Sequence, residues 1–200
     1  MLVLKIKDRT YAVESAVLFA EIRPIDQARS MWGSTNKGIA WFLEIGTPED
    51  TTDNLDEWNP FVTCICKFPR LHWREIEGKV LEWTDAWDTE MANGRSCLWI
   101  FDSPAPIHSN RLEFSRRSED TFAIRWQGLC DLNWDEEYGA NLEFLIETRV
   151  KFLGIAIYEQ DLATATQMLS SFQDSNDFVE GSIARYAPGS VRQFVPRLRN

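Results

Sequence analysis

The sequence predicts a mainly β protein, built as an antiparallel sandwich or an open barrel-like sheet of roughly 8 to 11 strands, with one C-terminal amphipathic helix. Apolar and polar residues alternate with a period of two over much of the chain, most clearly between residues 120 and 158. A hydrophobic fraction of 44%, with nine Trp and twelve Phe, supplies enough apolar surface for a packed core. Two hundred residues fit a single domain, and we interpret residues 1–200 as one.

The fold is predicted to be organised around two neighbouring strands. The first covers residues 122–134 and the second residues 142–152, and each has one apolar and one polar face. The polar residues between them end in Gly139, which suits a hairpin loop. After residue 152 both faces become apolar around Gly154, which predicts a bulge or entry into a strand that is covered on both sides.

The N-terminal third is predicted to contain three strands. Residues 2–7 and 11–23 alternate on either side of a short polar connection and are expected to form a hairpin. Pro24 ends the second strand because proline cannot donate to a β ladder. Residues 24–36 are predicted to be a loop, and residues 38–46 the third strand.

The middle of the chain is the least regular part. A strand is predicted for residues 61–68. Residues 71–93 fit either strands or a helix, and the glycine at 78 together with the tryptophans favours a strand over residues 73–83. Residues 95–102 are apolar on both faces, which indicates a central strand, and an extended Pro-Ala-Pro crossing follows at residues 104–106.

The C-terminal part is expected to differ from the rest. Apolar residues at helical spacing after Asp161, a good N-cap residue, predict an amphipathic helix over residues 161–173. Residues 185–200 form a basic tail that can lie at the periphery and dock onto an acidic face of a second copy. This tail contains Arg185, Arg192, Arg197 and Arg199.

Charge and composition restrict the functional classes. The formal net charge is −10, which disfavours nucleic acids and anionic membranes and favours a basic partner. The N-terminus lacks the pattern of a signal peptide, and no apolar run approaches the length of a membrane span, so a cytoplasmic location is expected. The four cysteines are therefore expected to be free thiols, and no cofactor is predicted.

Catalytic and metal-binding motifs are missing from the sequence. His72 and His108 stand far from any Cys or His at a ligand spacing, and pairing of His108 with Cys97 has no support in their spacing. Cys64 and Cys66 form a CxC motif that would need two further ligands to hold zinc, so we interpret both as core thiols. A non-catalytic function is favoured.

Two acidic segments are the candidate binding sites. Three carboxylates between two aromatic residues follow the first organising strand, and a second acidic segment ends next to a tryptophan. The plainer interpretation of each segment is a solvated loop. A weaker candidate is a Ca²⁺ site formed by Asp131, Asp135 and Glu137. The partner-binding candidates are Trp134, Asp135, Glu136, Glu137 and Tyr138, and Glu49, Asp50, Asp53, Asp56, Glu57 and Trp58.

Some tryptophans are expected to fill the core and others to be available for binding. Trp41, Trp99 and Trp126 alternate in phase with aliphatic neighbours and are predicted to be buried. The tryptophans beside polar segments are candidates for exposure, and these are Trp32, Trp58, Trp87 and Trp134.

Three functions fit these patterns. The first is an adaptor or toxin-neutralising protein whose acidic, aromatic-bearing loops bind a basic protein. The second is a carbohydrate-binding module, or a carbohydrate-active enzyme, that uses Trp134, Tyr138 and the carboxylates between them. The third is a self-assembly module that docks through residues 185–200.

Overall fold

A computed structural model describes residues 2–32, 38–48, 60–68, 71–84, 96–100, 103–132, 139–183 and 191–198. These residues form a mainly β structure in which twelve strands belong to one sheet and two α-helices lie outside it. Neither helix of the described segments is long and apolar enough to cross a membrane. The strands are β1 (Val3–Ile6), β2 (Arg9–Ala12), β3 (Ser15–Ile22), β4 (Ile39–Gly46), β5 (Phe61–Cys66), β6 (Val80–Trp83), β7 (Ser96–Ile100), β8 (Ser103–Ser118), β9 (Thr121–Leu132), β10 (Gly139–Ile157), β11 (Phe178–Glu180) and β12 (Arg192–Pro196). The helices are α1 (Ile25–Trp32) and α2 (Leu162–Ser170).

Seven strands pair in a cycle. Starting at β3, each strand pairs with the next in the order β3, β4, β5, β7, β8, β9 and β10, and β10 pairs with β3 again. Six of these pairings are antiparallel, and that between β10 and β3 is parallel. The remaining five strands extend the cycle: β1 and β2 beside β10, β6 beside β8, and β12 and β11 beside the end of β10.

The organising pair of strands is confirmed. β9 and β10 pair antiparallel from Thr121 opposite Lys151 to Leu132 opposite Gly139. The described residues of the predicted apolar faces are buried, except for half-buried Gly128. The predicted irregularity at Gly154 is confirmed as well, because the register of β10 with β3 shifts between Phe152 and Gly154. Gly154 has a φ of +133°, a conformation that other residues rarely adopt.

The N-terminal hairpin is shorter than predicted. β1 pairs with β2, which ends at Ala12, and the chain then leaves the hairpin and enters β3. β3 pairs with β4 on one side and β10 on the other, so it is an interior strand. The prediction of one strand over residues 11–23 was wrong because period-two alternation continues through the change of pairing partner.

Residues 24–36 were predicted to be a loop, but α1 occupies part of this segment. Pro24 precedes the helix, where the missing N–H of proline has no cost. Asp26 lies in the first turn, where the negative charge of its carboxylate interacts favourably with the helix dipole and stabilises the helix. Ala28 and Trp32, one helical turn apart, are buried against the outer face of the sheet. An eight-residue helix has little stability alone, so this contact decides its formation.

Residues 73–83, predicted to be one strand, contain two different elements. A 3₁₀ turn spans Trp73–Glu75 and is capped by His72, and β6 begins only at Val80. Gly78 separates them with a φ of +80°. Residues 104–106 were predicted to be an extended crossing, but they belong to β8 and pair with β7.

The chain after residue 160 returns to the sheet. Asp161 caps α2 by accepting the Thr164 N–H, and α2 lies within the segment predicted to be helical. It is followed by β11 and β12, so it is not the last element. β12 pairs with both β10 and β11, and its Phe194 is 5% exposed. The described part of the predicted peripheral tail, residues 191–198, therefore contributes to the sheet.

Candidate functional site

The residues predicted to bind a partner lie outside the described residues, but the strand ends that anchor them are described. Gly46 of β4 pairs with Phe61 of β5, and both the N–H and the hydroxyl of Thr47 donate to the Pro60 carbonyl oxygen (3.3 and 3.1 Å). The predicted residues are Glu49, Asp50, Asp53, Asp56, Glu57 and Trp58, and Trp134, Asp135, Glu136, Glu137 and Tyr138.

Both acidic segments are anchored at the same end of the strand cycle. β4, β7 and β9 end there, and β5, β8 and β10 begin there, because neighbouring strands in this part of the cycle are antiparallel. We call this the acidic end. Gly46 before the first segment and Leu132 before the second are four strand spacings apart, about 20 Å along the sheet. A protein partner of ordinary size can contact both positions at once.

The acidic end also carries an exposed aromatic pair. Phe61 of β5 lies directly opposite Trp99 of β7, which places both side chains on the same face of the sheet. Each is 37% exposed. Phe42 and Ile65 lie on the same face but are packed against α1, so the helix covers one part of this face and leaves the aromatic pair uncovered.

The exposure of two tryptophans is the reverse of the prediction. Trp99 was predicted to be buried, but it lies on the outer face of β7. Trp32 was a candidate for exposure, yet it is 5% exposed because α1 packs it against Phe42. Trp41 and Trp126 are buried as predicted. Trp58, Trp87 and Trp134 lie outside the described residues.

Asp131 is the one described member of the predicted Ca²⁺ site. Its Oδ1 atom accepts the Asn141 N–H (2.8 Å) and lies 3.4 Å from Nε2 of His108. This carboxylate therefore links the first residues of β10 to β8. No group of three or more potential metal ligands occurs among the described residues. Asp135 and Glu137 lie outside them, so the Ca²⁺ site remains a prediction.

The cysteines are free. The Sγ atoms of Cys64 and Cys66 are 4.0 Å apart on the buried face of β5, as expected for neighbours on one face of a strand. Burial raises the pKa of Cys97 to about 11 and that of Cys130 to about 12. Both thiols are therefore protonated at neutral pH and are poor nucleophiles.

A partly buried polar cluster that the sequence did not reveal joins the 3₁₀ turn to the chain before β11. Arg74 donates from Nε and from a terminal nitrogen to both carboxylate oxygens of Asp177 (2.9 and 2.8 Å). His72 Nε2 lies 3.1 Å from Asp177 Oδ2, outside hydrogen-bond geometry. Gln173 accepts the Trp73 N–H and donates to the Leu71 carbonyl oxygen, both at 2.8 Å. About 100 residues separate the partners, so no local pattern could indicate them.

One basic residue of the C-terminal segment, Arg192, has partners within the chain. Arg192 donates to the carboxylate of Glu180 and to the Gln160 carbonyl oxygen, both at 2.7 Å. Arg185 and Arg199 lie outside the described residues. Self-assembly through this segment remains a prediction, as does carbohydrate binding by Trp134 and Tyr138.

Comparisons with known proteins found no relative of this chain. No family model, no curated protein and no solved structure matches this chain.

Proposed function

We propose that this protein is a non-catalytic adaptor or neutralising protein that binds a basic protein partner at the acidic end. One observation carries the proposal: the anchors of both acidic segments and an exposed aromatic pair lie at the same end of the strand cycle. The seven-strand cycle of pairings is the basis for a barrel-like scaffold, which would hold these elements in a fixed arrangement. Free thiols are expected of a cytoplasmic protein, the location we propose.

The charge of the two segments supports a basic partner. Residues 47–60 contain five carboxylates and residues 133–138 contain three, and neither segment contains Lys or Arg. Because no positive charge offsets these carboxylates within the segments, their combined field attracts cations. Such a field speeds the encounter with a basic protein and weakens as the ionic strength rises.

The aromatic pair supports a direct contact with that partner. Interface residues that contribute most to affinity are often tryptophans surrounded by polar residues, as Trp99 would be here. The faces of Trp99 and Phe61 can receive arginine side chains through cation–π contacts, which would place the aromatic contact and the charge attraction on one ligand surface.

The proposal is tested by capturing proteins from the native lysate on the immobilised chain, followed by affinity measurements with the purified captured protein. We expect a basic protein whose dissociation constant rises steeply with salt. Trp99→Ala should weaken binding by about thirtyfold, the effect of a moderate hot-spot residue. The combined substitutions Asp135→Asn, Glu136→Gln and Glu137→Gln should lower the association rate.

Two controls make the result specific. Leu162→Ala removes a side chain on α2 that is 42% exposed, similar to Trp99, and should leave affinity unchanged. Asp26→Asn, Glu77→Gln and Glu119→Gln together remove three exposed carboxylates outside the two acidic segments and should have a small effect. Binding that is insensitive to salt, or that survives both the Trp99 and the carboxylate substitutions, would contradict the proposal.

A further inference from the structure

A groove of about 500 Å³ lies on the outer face of the sheet, where β1, β8, β9 and β10 meet. Its volume is in the range of small-molecule sites. Lys5 lies opposite Leu145, and Leu145 lies opposite Gln127, so these three side chains share the outer face across three strands. The polar side chains of the lining are Lys5, Lys7, Ser109, Arg125, Gln127 and Glu143.

The backbone of this groove is unusual at two positions. Lys7 and Ser109 have φ values of 51° and 52°, and they are two of four described non-glycine residues with positive φ. Each such conformation costs about 1–2 kcal/mol for a residue with a Cβ, so the surrounding structure must impose it. At Lys7 the cause is the two-residue turn between β1 and β2, which requires a positive φ. Ser109 lies within a strand, and strained residues of that kind concentrate at binding and catalytic sites.

A buried hydrogen-bond network holds Ser109 in place. Ser109 lies in an irregular part of β8, where the register with β9 shifts between His108 and Arg111, and its N–H donates to the Thr84 carbonyl oxygen (3.0 Å). The next residue, Asn110, is 3% exposed. Its side chain accepts from Nε1 of Trp126 (2.8 Å) and donates to the Ile107 carbonyl oxygen (3.2 Å). The irregular part of β8 at Ser109 is therefore fixed by the hydrogen bonds of a buried side chain.

Gly128 completes the groove on β9. A Cβ at this position would lie 2.8 Å from Cε1 of Phe144 and 2.9 Å from Oδ1 of Asn110. Only glycine therefore fits between the aromatic ring and the amide that fixes the irregular part of β8. Asn110 therefore has two roles, since its amide belongs to the network beside Ser109 and also leaves no room for a Cβ at position 128.

The charge of the groove is opposite to that of the molecule. Three cationic side chains and one carboxylate line it, although the chain has a formal net charge of −10. Arg125 is paired with Glu147 (2.5 Å). Lys5 is exposed and forms no ion pair with a described residue. A cationic groove on an acidic protein attracts anions that the remaining surface repels.

We propose that this groove binds a small organic anion that carries a phosphate or carboxylate group. The ammonium groups of Lys5 and Lys7 bind the anionic group, and the Ser109 hydroxyl donates a hydrogen bond to it. The Gln127 amide and the Leu145 side chain contact the remainder of the ligand. This site is independent of the acidic end, because it selects the opposite charge and uses different residues.

The inference is tested by titrating the ¹⁵N-labelled protein with adenosine monophosphate, citrate and uncharged adenosine. We expect the amide signals of Lys5, Lys7, Ser109 and Gly128 to shift with at least one of the two anions and not with adenosine. A shift with adenosine monophosphate alone would indicate a phosphate ligand, and a shift with citrate alone would indicate a carboxylate ligand. Lys5→Gln combined with Lys7→Gln should weaken binding at least about tenfold, because two charge-assisted contacts are lost.

The matched control is Lys79→Gln combined with Lys151→Gln, which removes two exposed lysines that do not line the groove. This control should retain the affinity of the unaltered chain. If neither anion shifts these signals, or if the two double variants lose affinity equally, the groove does not bind small anions. Binding of the basic partner should be unchanged in Lys5→Gln/Lys7→Gln, so this result is separate from the test of the acidic end.

Discussion

At Gly154 the backbone of β10 passes so close to β12 that there is no space for a side chain. A Cβ at this position would lie 2.2 Å from the Phe194 carbonyl oxygen, and the φ of +133° already disfavours other residues. Glycine is therefore required for two separate reasons, one conformational and one steric. The contact is with backbone, so a rotamer change cannot relieve it.

Gly154→Ala should consequently destabilise the protein far more than Gly78→Ala. Gly78 has a φ of +80°, but no atom lies within 4 Å of the position that a Cβ would occupy, so its substitution costs only the conformational strain, about 1 kcal/mol. We expect at least about 3 kcal/mol for Gly154→Ala, because β12 must move away from β10. Urea denaturation of both variants measures the difference. Equal losses would show that β12 does not pack as closely as described.

Residue-scale predictions from the sequence succeeded where the cause was local. The irregularity at Gly154 was predicted because glycine interrupts a run that turns apolar on both faces. Trp99 was misassigned because alternation identifies the two faces of a strand but not which face another element covers. Trp32 was misassigned because residues 24–36 were predicted to be a loop rather than to contain α1. Burial of Trp32 depends on α1, and exposure of Trp99 depends on where α1 stops covering the sheet.

At the scale of elements, the 3₁₀ turn over Trp73–Glu75 shows how a short segment is stabilised. His72 Nδ1 accepts the Arg74 N–H and the Glu75 side chain accepts the His72 N–H, both at 3.2 Å, which forms a capping box. Trp73 stacks on Phe152 with ring centroids 5.1 Å apart. The turn is thus attached both to the core and, through Asp177, to the C-terminal strands.

The 3₁₀ turn, through its cap His72, should make the free energy of unfolding depend on pH. Burial lowers the pKa of His72 from its usual value, although the Asp177 carboxylate partly opposes the shift. Because the folded state binds this proton less tightly than the unfolded chain, stability contributed by neutral His72 is lost as the pH falls below about 6.5. His72→Asn keeps a capping oxygen but cannot be protonated, so its stability should fall less between about pH 7 and 5.5.

The free energy of unfolding, measured with urea across this pH range, tests the prediction. His108→Asn serves as the control because it removes the other histidine and leaves the 3₁₀ turn intact. The prediction requires that His72→Asn, and not His108→Asn, reduces the pH dependence. Parallel curves for the unaltered chain and His72→Asn would contradict it.

The elements that the sequence predicted best are those with strong local periodicity. β9 and β10 are long, alternate cleanly and pair with each other, so their neighbours in space are also neighbours in sequence. α1 and the 3₁₀ turn were missed because both are short and depend on distant contacts. Propensity alone could not identify an eight-residue helix that is stabilised by packing on Phe42.

At the scale of the whole molecule, the last described strand helps to hold the structure together. β12 lies between β10 and β11, and Phe194 belongs to the main hydrophobic core. Phe194→Ala should cost about 3 kcal/mol and lower the melting temperature by roughly 6–12 °C. Leu198→Ala is the control, because Leu198 is 47% exposed and its loss should have little effect. A similar small effect of both substitutions in thermal denaturation would favour a peripheral C-terminal segment.

The location of the candidate site could be predicted from the sequence only in part. Composition identified the two acidic segments, but whether they share one end of the molecule depends on strand order, which local patterns do not contain. Phe61 and Trp99, which are 38 residues apart in the chain, become neighbours only because β5 pairs with β7. The cationic groove was missed for the same reason, since its residues come from four strands.

The parallel contact between β3 and β10 determines when the cycle can close during synthesis. Val17–Ile22 must wait for residues 151–157, the last of the seven strands to leave the ribosome. Until then β3 has only β4 beside it, and its other edge, with buried Leu18, Phe19 and Ala20, is open to unwanted strand pairing. Pairing between strands that lie so far apart in the sequence slows folding. We therefore expect the nascent chain to depend on chaperones until β10 has been synthesised.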